Sequence, residues 1–496
     1  MNIFFTYLAQ RFALNKLSLN NKPQRSTFIQ AFKDQLGFSP TDDQNQAIDL
    51  LTNFMFDLQA LDIFILRGYA GTGKTSLIAA FVNTLKFYKT KTVLLAPTGR
   101  AAKVLSNYSG YKASTIHRQI YFSKEGNDDA GGGFVLGTNK YKDTLFIVDE
   151  ASMISTDAGV ENSSGFTPRS LLDDLIEYVY SAENCKIIFV GDQGQLPPIG
   201  MEISPALDKK FLKSSYSFDI IEAELNEIVR QNEDSGILDI ANQLRTFEEV
   251  TPQLKINQKD AINLSGLELQ DELEAAISQY GKDEVIVVTR SNKRANLFNQ
   301  QIRQRVLWQD EDLNAGDVIM AAKNNYFWLD AKSEAGFIAN GELMEILKIS
   351  RREDMYGFEF ADVVVKLIDY PDMKDVEIKI ILNALHFDGP ALPRDKMKEL
   401  FYRIVQEDYY LETNKRIRNR KVMANPYFQA IQVKFGYAVT CHKAQGGQWE
   451  AVFVDQGYFV DDMWDKEYMR WLYTAITRAR KKLYLVNFSP AFITEQ

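Results

Sequence analysis

"IFILRGYAGTGKT", residues 63–75, joins an apolar run of strand length to a glycine-rich turn, and "SLIAAFVNTL" after it has the pattern of a helix packed on a sheet. The turn reads Gly68-x-x-x-x-Gly73-Lys74-Thr75, with Gly71 inside it. Glycines at Gly68, Gly71 and Gly73 let backbone N–H groups close around phosphate oxygens, and a helix N-terminus adds partial positive charge. Lys74 is then placed to reach the β- and γ-phosphates of a nucleotide, and the Thr75 hydroxyl to bind Mg²⁺. An ordinary glycine turn is the bland alternative. The strand before the motif and the helix after it argue against that.

A phosphate loop needs a second acidic site, and "TLFIVDEAS", residues 144–152, supplies one. Four apolar residues carry a strand into Asp149 and Glu150, at the end where parallel sheets bind ligands. Asp149 is suited to the Mg²⁺ shell and Glu150 to orienting or deprotonating an attacking water. "CKIIFVGDQGQLPPIG", residues 185–200, repeats the strand-then-polar pattern, with Gln195 placed to sense a γ-phosphate. Together with "KTVLLAPTGRAAKVL", residues 91–105, these runs alternate strand and helix as a parallel sheet does. The residues alone imply a Mg²⁺-dependent nucleoside triphosphatase.

A chain of 496 residues exceeds one ordinary core, so several domains are expected. Hydrophobic content of 45% and charged content of 25% describe a soluble globular protein with no membrane span. A net charge of −9 excludes a chain coated in nucleic-acid-binding surface, though not a local basic groove. Two distant cysteines give no disulfide framework or zinc finger, which favours a reducing, cytoplasmic location. The N-terminus "MNIFFTYLAQRFALNKLSLN" lacks the layout of a signal peptide.

The second half adds further α/β signals: "DEVIVVTR" at 283–290, "AVFVD" at 451–455 and "WLYTAITRARKKLYLV" at 471–486. Arg230 in "ELNEIVRQ" and Arg478 in "TAITRAR" are candidates to neutralise charge on a γ-phosphate. The ordered set "TDDQNQAI", "GYAGTGKT", "APTGRAA", "STIHR", "VDEAS", "GDQGQLPP", "EIVRQ", "TCHKAQGGQWE" and "YTAITRAR" resembles the superfamily 1 helicases, specifically the RecD-like and Dda-like group that moves 5′ to 3′. The matches run from about residue 41 to 487.

The resemblance implies an α/β fold with two RecA-like P-loop motor domains, a β-hairpin insertion and an inserted small β-barrel of the Src-homology type. Its implied limits are a helical extension over 1–40 and a first RecA-like domain over 41–223, with a hairpin or pin at 118–144. The second RecA-like domain then covers 224–311 and 431–496, with a barrel and a helical, basic extension at 312–430. It also implies that Gln44 reads the adenine edge and that Arg230 and Arg478 are arginine fingers at the interdomain cleft. Pro97, Thr98, Arg100, Thr115, His117, Thr440, His442 and Lys443 would line the track of a single strand. Cys441, beside His442, then fills a variable position as a buried residue and is no nucleophile.

The stretch between "STIHR" and "VDEAS" has a hairpin pattern around a glycine-rich tip, with Phe122 and Phe134 as candidate wedges against a flexible-loop alternative. Lys415, Arg416, Arg418, Arg420 and Lys421, flanked by Tyr409, Tyr410, Tyr427 and Phe428, suggest a single-strand contact; a solvated helix face is the plainer reading. Apolar spacing over residues 3–17 predicts an amphipathic helix.

The expected function is an ATP- and Mg²⁺-dependent DNA helicase or translocase. Its expected partners are single-stranded DNA, duplex junctions and repair or recombination proteins, and it is expected to be a monomeric motor. The alternatives are an RNA helicase, a nucleotide-gated remodeller that does not unwind, and a motor subunit of a nuclease complex.

Overall fold

The computed structural model describes residues 24–56, 62–123, 134–156, 170–229, 235–246, 254–330, 333–460 and 463–495. The chain divides into two compact units, with the change in the main chain at residues 238 and 239. The helix expected over residues 3–17 lies outside the described residues.

In the first unit the strands are β1 (Asp62–Gly68), β2 (Lys91–Ala96), β3 (Ala113–Thr115), β4 (Tyr121–Ser123), β5 (Phe134–Leu136), β6 (Thr144–Val148), β7 (Lys186–Gly191) and β8 (Asp219–Leu225). Six of them form one sheet in the order β3-β2-β6-β7-β1-β8, parallel at every pairing. All of β6 and β7 is buried, as a strand covered on both faces must be.

Successive side chains on a strand point to opposite faces, and β1 shows it. Phe64 and Leu66 join one core with the helices Arg25–Leu36, Asp42–Phe56 and Lys74–Phe87. Ile63 and Ile65 join the other core, with the helix Leu171–Tyr180. Phe28 and Phe32 are fully buried, and Phe32 meets Phe81 with ring centroids 5.3 Å apart. Each such ring stabilises the unit by about 2 kcal/mol.

β4 and β5 pair as a separate two-stranded sheet. The glycine-rich tip between them, residues 124–133, lies outside the described residues.

The second unit holds β9 (Leu254–Ile256), β10 (Ala261–Leu264), β11 (Val285–Thr289), β12 (Val318–Ala321), β13 (Leu343–Met355), β14 (Phe358–Leu367), β15 (Val376–Ile381), β16 (Ile431–Phe435), β17 (Ala438–Thr440), β18 (Trp449–Asp455), β19 (Ala479–Val486) and β20 (Ile493–Glu495). The order β10-β19-β18-β11-β17 makes a second sheet, again parallel throughout. β12 to β16 close a small barrel. Its closing strand, β16, pairs antiparallel with β12 and parallel with β15, so the barrel extends past the expected limit at residue 430.

A buried ion pair fixes where the barrel leaves the sheet. Arg303 Nε donates to Asp317 Oδ1 at 2.8 Å, one Arg303 NH group donates to Asp317 Oδ2 at 2.9 Å, and the guanidinium lies 4.2 Å from the Phe435 ring centroid.

Candidate nucleotide and nucleic-acid site

The loop after β1 takes the path its glycines permit. Gly71 and Gly73 have φ of 79° and 80°, the left-handed region that other residues enter at a cost. A Cβ on Gly68 would stand 2.8 Å from Thr72 Oγ1 and 2.9 Å from Leu225 Cβ, so only glycine fits there. Lys74 opens the helix Lys74–Phe87 and folds its ammonium back over the loop. Its Nζ donates to Gly68 O at 2.5 Å and Tyr69 O at 2.7 Å, and it stands 3.7 Å from Asp192 Oδ2. Thr75, next on the helix, is half-buried.

The acidic pair lies beyond the end of β6. Asp149 N–H donates to Leu95 O at 2.9 Å, fixing the chain as it leaves the sheet. The Asp149 carboxylate accepts from Glu150 N–H at 2.8 Å. Glu150 has φ of 52°, a strained position for a residue with a side chain. Burial of the Asp149 carboxyl raises its pKa, and the Glu150 charge adds to this; the backbone hydrogen bond and the Lys74 charge act in the opposite direction. The acidic pair and the loop lysine are therefore electrostatic neighbours.

The turn after β7 completes the group. Asp192 is buried and accepts from Gly194 N–H at 2.8 Å. Gln195 is buried too, and its side-chain oxygen has no hydrogen-bond partner among the described residues. A buried orphan acceptor is costly unless a ligand or water supplies the donor. Asp192 was missed by the sequence reading, although it stands in the quoted "GDQGQLPP". Its link to Lys74 spans more than a hundred residues, beyond any local pattern.

Gln44, expected at the adenine edge, is fully buried. Its amide donates to Thr72 O at 3.0 Å and its oxygen accepts from Thr41 N–H at 3.1 Å. Arg230 lies outside the described residues.

The expected track residues of the first unit sit together because Ala96 on β2 is in register with Thr115 on β3. Pro97, Thr98 and Arg100 follow one strand, and His117 follows the other. The Thr98 hydroxyl caps the helix Gly99–Ser109 by accepting from Ala101 N–H at 3.2 Å. Thr115 caps Ile116–Ile120 by accepting from Arg118 N–H at 3.3 Å. Both hydroxyls thus have a structural duty. His117 is held neutral by burial, which lowers its pKa to about 4.

In the second unit, Thr440 ends β17 and precedes the short helix Cys441–Ala444, with His442 exposed on it. Lys443 Nζ donates to Asn340 Oδ1 at 2.8 Å. Arg478 is buried, and its guanidinium donates to Thr474 O at 3.0 Å, Gly447 O at 3.3 Å and Thr477 Oγ1 at 3.1 Å. It ties the end of the helix Lys466–Ile476 to the loop at 445–447. Cys441 is buried, its pKa pushed up to about 12 by that burial, so it is no thiolate nucleophile.

Phe122 is half exposed on β4, its ring against Gly137. Phe134 opens β5, but its side chain lies outside the described residues. The basic residues 415–421 form the helix Lys415–Met423, where Lys421 pairs with Glu412 at 3.0 Å. The expected flanking aromatics divide. Tyr427 and Phe428 pack against a core cluster, whereas Tyr410 is 68% exposed. Apolar rings beside a core are captured by it, and adjacency in sequence does not reveal this.

No group of three or more His, Cys, Asp or Glu side chains among the described residues is arranged to hold a metal. An oxygen set of Thr75 and Asp149 nonetheless fits Mg²⁺, which takes one or two protein oxygens and completes its shell with phosphate and water. No helix among the described residues is long and apolar enough to cross a membrane.

Comparison with known proteins places these features. An AAA domain family matches residues 41–263, and the UvrD-like helicase C-terminal domain matches residues 435–486. The uncharacterized protein R530 of Acanthamoeba polyphaga mimivirus is 25% identical, over 85% of this chain and 94% of its own. The ATP-dependent DNA helicase dda of Enterobacteria phage T4 is 26% identical, over 57% of this chain and 62% of its own. A solved Bacteroides Pif1 helicase in complex with ADP-AlF3 and ssDNA aligns at 14% identity and a TM-score of 0.46, over 92% of this chain and 95% of that one. With its nucleotide loop, its acidic strand end and its second parallel sheet, the chain has the make-up of a superfamily 1 helicase of the Dda and RecD-like kind, an ATP-driven enzyme.

Proposed function

We propose that this helicase acts on DNA, moves 5′ to 3′ along a single strand and opens the duplex ahead of it. The observation that carries the ATP-driven part of this reading is the convergence of Lys74, Asp149, Glu150, Asp192 and Gln195 beyond the carboxyl ends of β1, β6 and β7. In this reading Lys74 exchanges the carbonyls of Gly68 and Tyr69 for phosphate oxygens, so nucleotide arrival replaces an internal contact. Thr75 and Asp149 would hold Mg²⁺, which supplies charge neutralisation on the phosphates. The unpartnered Gln195 oxygen accepts a hydrogen of the attacking water, and Glu150 takes the proton. Arg230 and Arg478 neutralise the developing γ-phosphate charge, as the resemblance implies.

Pro97, Thr98, Arg100, Thr115, His117, Thr440, His442 and Lys443 contact the strand. Because Thr98 and Thr115 already cap helices, their contribution is to fix the turns that carry Pro97, Arg100 and His117. The β4–β5 hairpin splits the duplex, with Phe122 and Phe134 at the junction. The domain limits expected from the motifs remain our proposal, apart from the barrel's extension to Phe435. DNA as substrate and 5′-to-3′ polarity rest on the motif resemblance and on the T4 relative's name as a DNA helicase. We assign the motor to repair or recombination, as a monomer.

The test is ATP-dependent separation of duplexes carrying either a 5′ or a 3′ single-stranded tail, in DNA and in RNA. Opening from the 5′ DNA tail alone is expected. Opening from the 3′ tail alone overturns the polarity, and preference for RNA overturns the substrate.

A further inference from the structure

We infer that Lys434, Lys443 and Phe387 form a subsite for one nucleotide of a single DNA strand, where the barrel meets the helix Asn292–Gln301. The two ammonium groups take a backbone phosphate and the ring carries the base. The inference rests on the reading of Lys443 as a strand contact, and it adds two residues that belong to none of the quoted motifs.

The strand β16 sets the first group. Ile431, Val433 and Phe435 are buried in the barrel, and alternation along the strand sends Lys434 to the other face. There its ammonium donates to Phe387 O and lies 5.7 Å from the Phe387 ring centroid. Its bonded partner is thus a neutral carbonyl. Burial lowers the Lys434 pKa to about 8; the charge of Asp388 acts against this, and that of Lys443 acts with it. Lys443 is therefore an electrostatic neighbour of Lys434, with its own Nζ bonded to Asn340 Oδ1 at 2.8 Å. Two half-buried ammonium groups that repel one another are relieved by an anion that meets both.

The turn at 385–389 sets the ring. Asn296 donates its side-chain amide to Phe387 O at 2.8 Å, and Gln300, one helical turn on, has its amide nitrogen 3.4 Å from His386 Nδ1. A Cβ on Gly389 would collide with Phe387 Cε1, so the ring lies directly against the backbone there. The ring is 36% exposed nonetheless. An aromatic ring already held in place beside a cation is a stacking platform for a base, and its fixed position reduces the entropy lost on binding. A single strand offers a phosphate and an unpaired base face in every repeat, whereas a duplex keeps its bases stacked on one another.

The test is the affinity of the full chain for a single-stranded thymidine oligonucleotide, measured against salt and pH beside thermal melts. Lys434→Met is expected to lower affinity about fivefold and to flatten the salt slope by about 0.7, the share of one phosphate on a single strand. Phe387→Ala should lower affinity about tenfold and leave the slope unchanged, since a ring releases no counterions. A phosphate favours the charged lysine, so affinity of the unaltered chain should fall as pH rises through about 8. Lys434→Met should lose that fall, although Asp388, His386 and Lys443, the charged and titratable groups beside it, all remain. Unchanged affinity and slope in Lys434→Met overturn the inference; if Lys443→Ala still weakens binding, the strand reading itself stands. If Lys434→Met does not fold, unchanged affinity in Phe387→Ala overturns the inference instead. An unaltered chain that does not bind the oligonucleotide removes the strand reading, and this inference with it.

Discussion

The sheet around β1 and the sheet around β11 are built alike. Both are parallel throughout, both central strands carry apolar, buried residues, and a helix follows each. They differ in the turn between strand and helix. β1 reaches its helix through residues 69–73, with two left-handed glycines and no side-chain cap on the helix. β11 reaches its helix through residues 290–291, where Ser291 caps by accepting from Arg294 N–H at 3.2 Å. A side-chain cap satisfies the helix from within, whereas the glycine loop leaves its N–H groups for an anion. One scaffold thus yields a turn open to an anion or a self-capped corner, according to a few turn residues.

The sharpest way to break that comparison is to remove the cation from each turn. Lys74→Ala should lower nucleoside triphosphate turnover about a thousandfold, the scale of losing a charge aimed at the transition state. Lys293→Ala, on the exposed first turn after β11, should leave turnover within about twofold. A matching loss in Lys293→Ala would mean that the side-chain cap does not set the two corners apart.

The insertions differ as well: a hairpin in the first unit, a barrel in the second. The barrel's exit from the sheet is held by the buried Arg303–Asp317 ion pair. Arg303→Ala should cost about 3 kcal/mol in denaturant unfolding, because Asp317 is left charged and buried. Arg303→Met should cost less when Asp317 is replaced by Asn as well. Equal losses would show that packing, and not the charge, matters at this joint.

Arg478→Lys keeps the charge but loses the planar fork that joins Thr474 and Gly447. Nucleic-acid-stimulated turnover should fall about tenfold, with a smaller change in basal turnover. Phe122→Ala should reduce duplex separation by about threefold and spare stimulated turnover, on the scale of one lost stacking contact. A fall in both together would count against the wedge.

The smallest effect is one of pH. His117 has a folded pKa of about 4, below the ordinary 6.5, because burial disfavours its charge. Between those values the unfolded chain binds the proton and the folded chain does not. Stability from this group is therefore complete above pH 6.5 and declines as pH falls toward 4. Urea midpoints for His117→Gln should fall less steeply over that window; parallel curves would remove His117 as the cause.

The nucleotide loop, the acidic strand end and the alternating strands were legible because each is local. Glycines, an apolar run and a following helix pattern lie within about twenty residues of one another. What escaped were partners distant along the chain. Asp192 beside Lys74, the Gln44 amide on Thr72, and Arg478 on Gly447 each depend on how separate elements pack. Tyr427 shows the same limit from the other side: it stands beside a basic helix in sequence, yet its hydroxyl donates to Glu353 at 2.9 Å and its ring packs on Phe360.

By itself, then, the sequence determined the family, the class of reaction and the position of the phosphate loop, since backbone permissiveness and hydrophobic periodicity are properties of neighbouring residues. The tertiary structure alone decided which polar side chains are spent on the chain and which remain available, because hydrogen-bond partners in a packed interior are set by spatial proximity. The Gln44 amide, which donates to Thr72 O at 3.0 Å, is one such partner that only packing reveals.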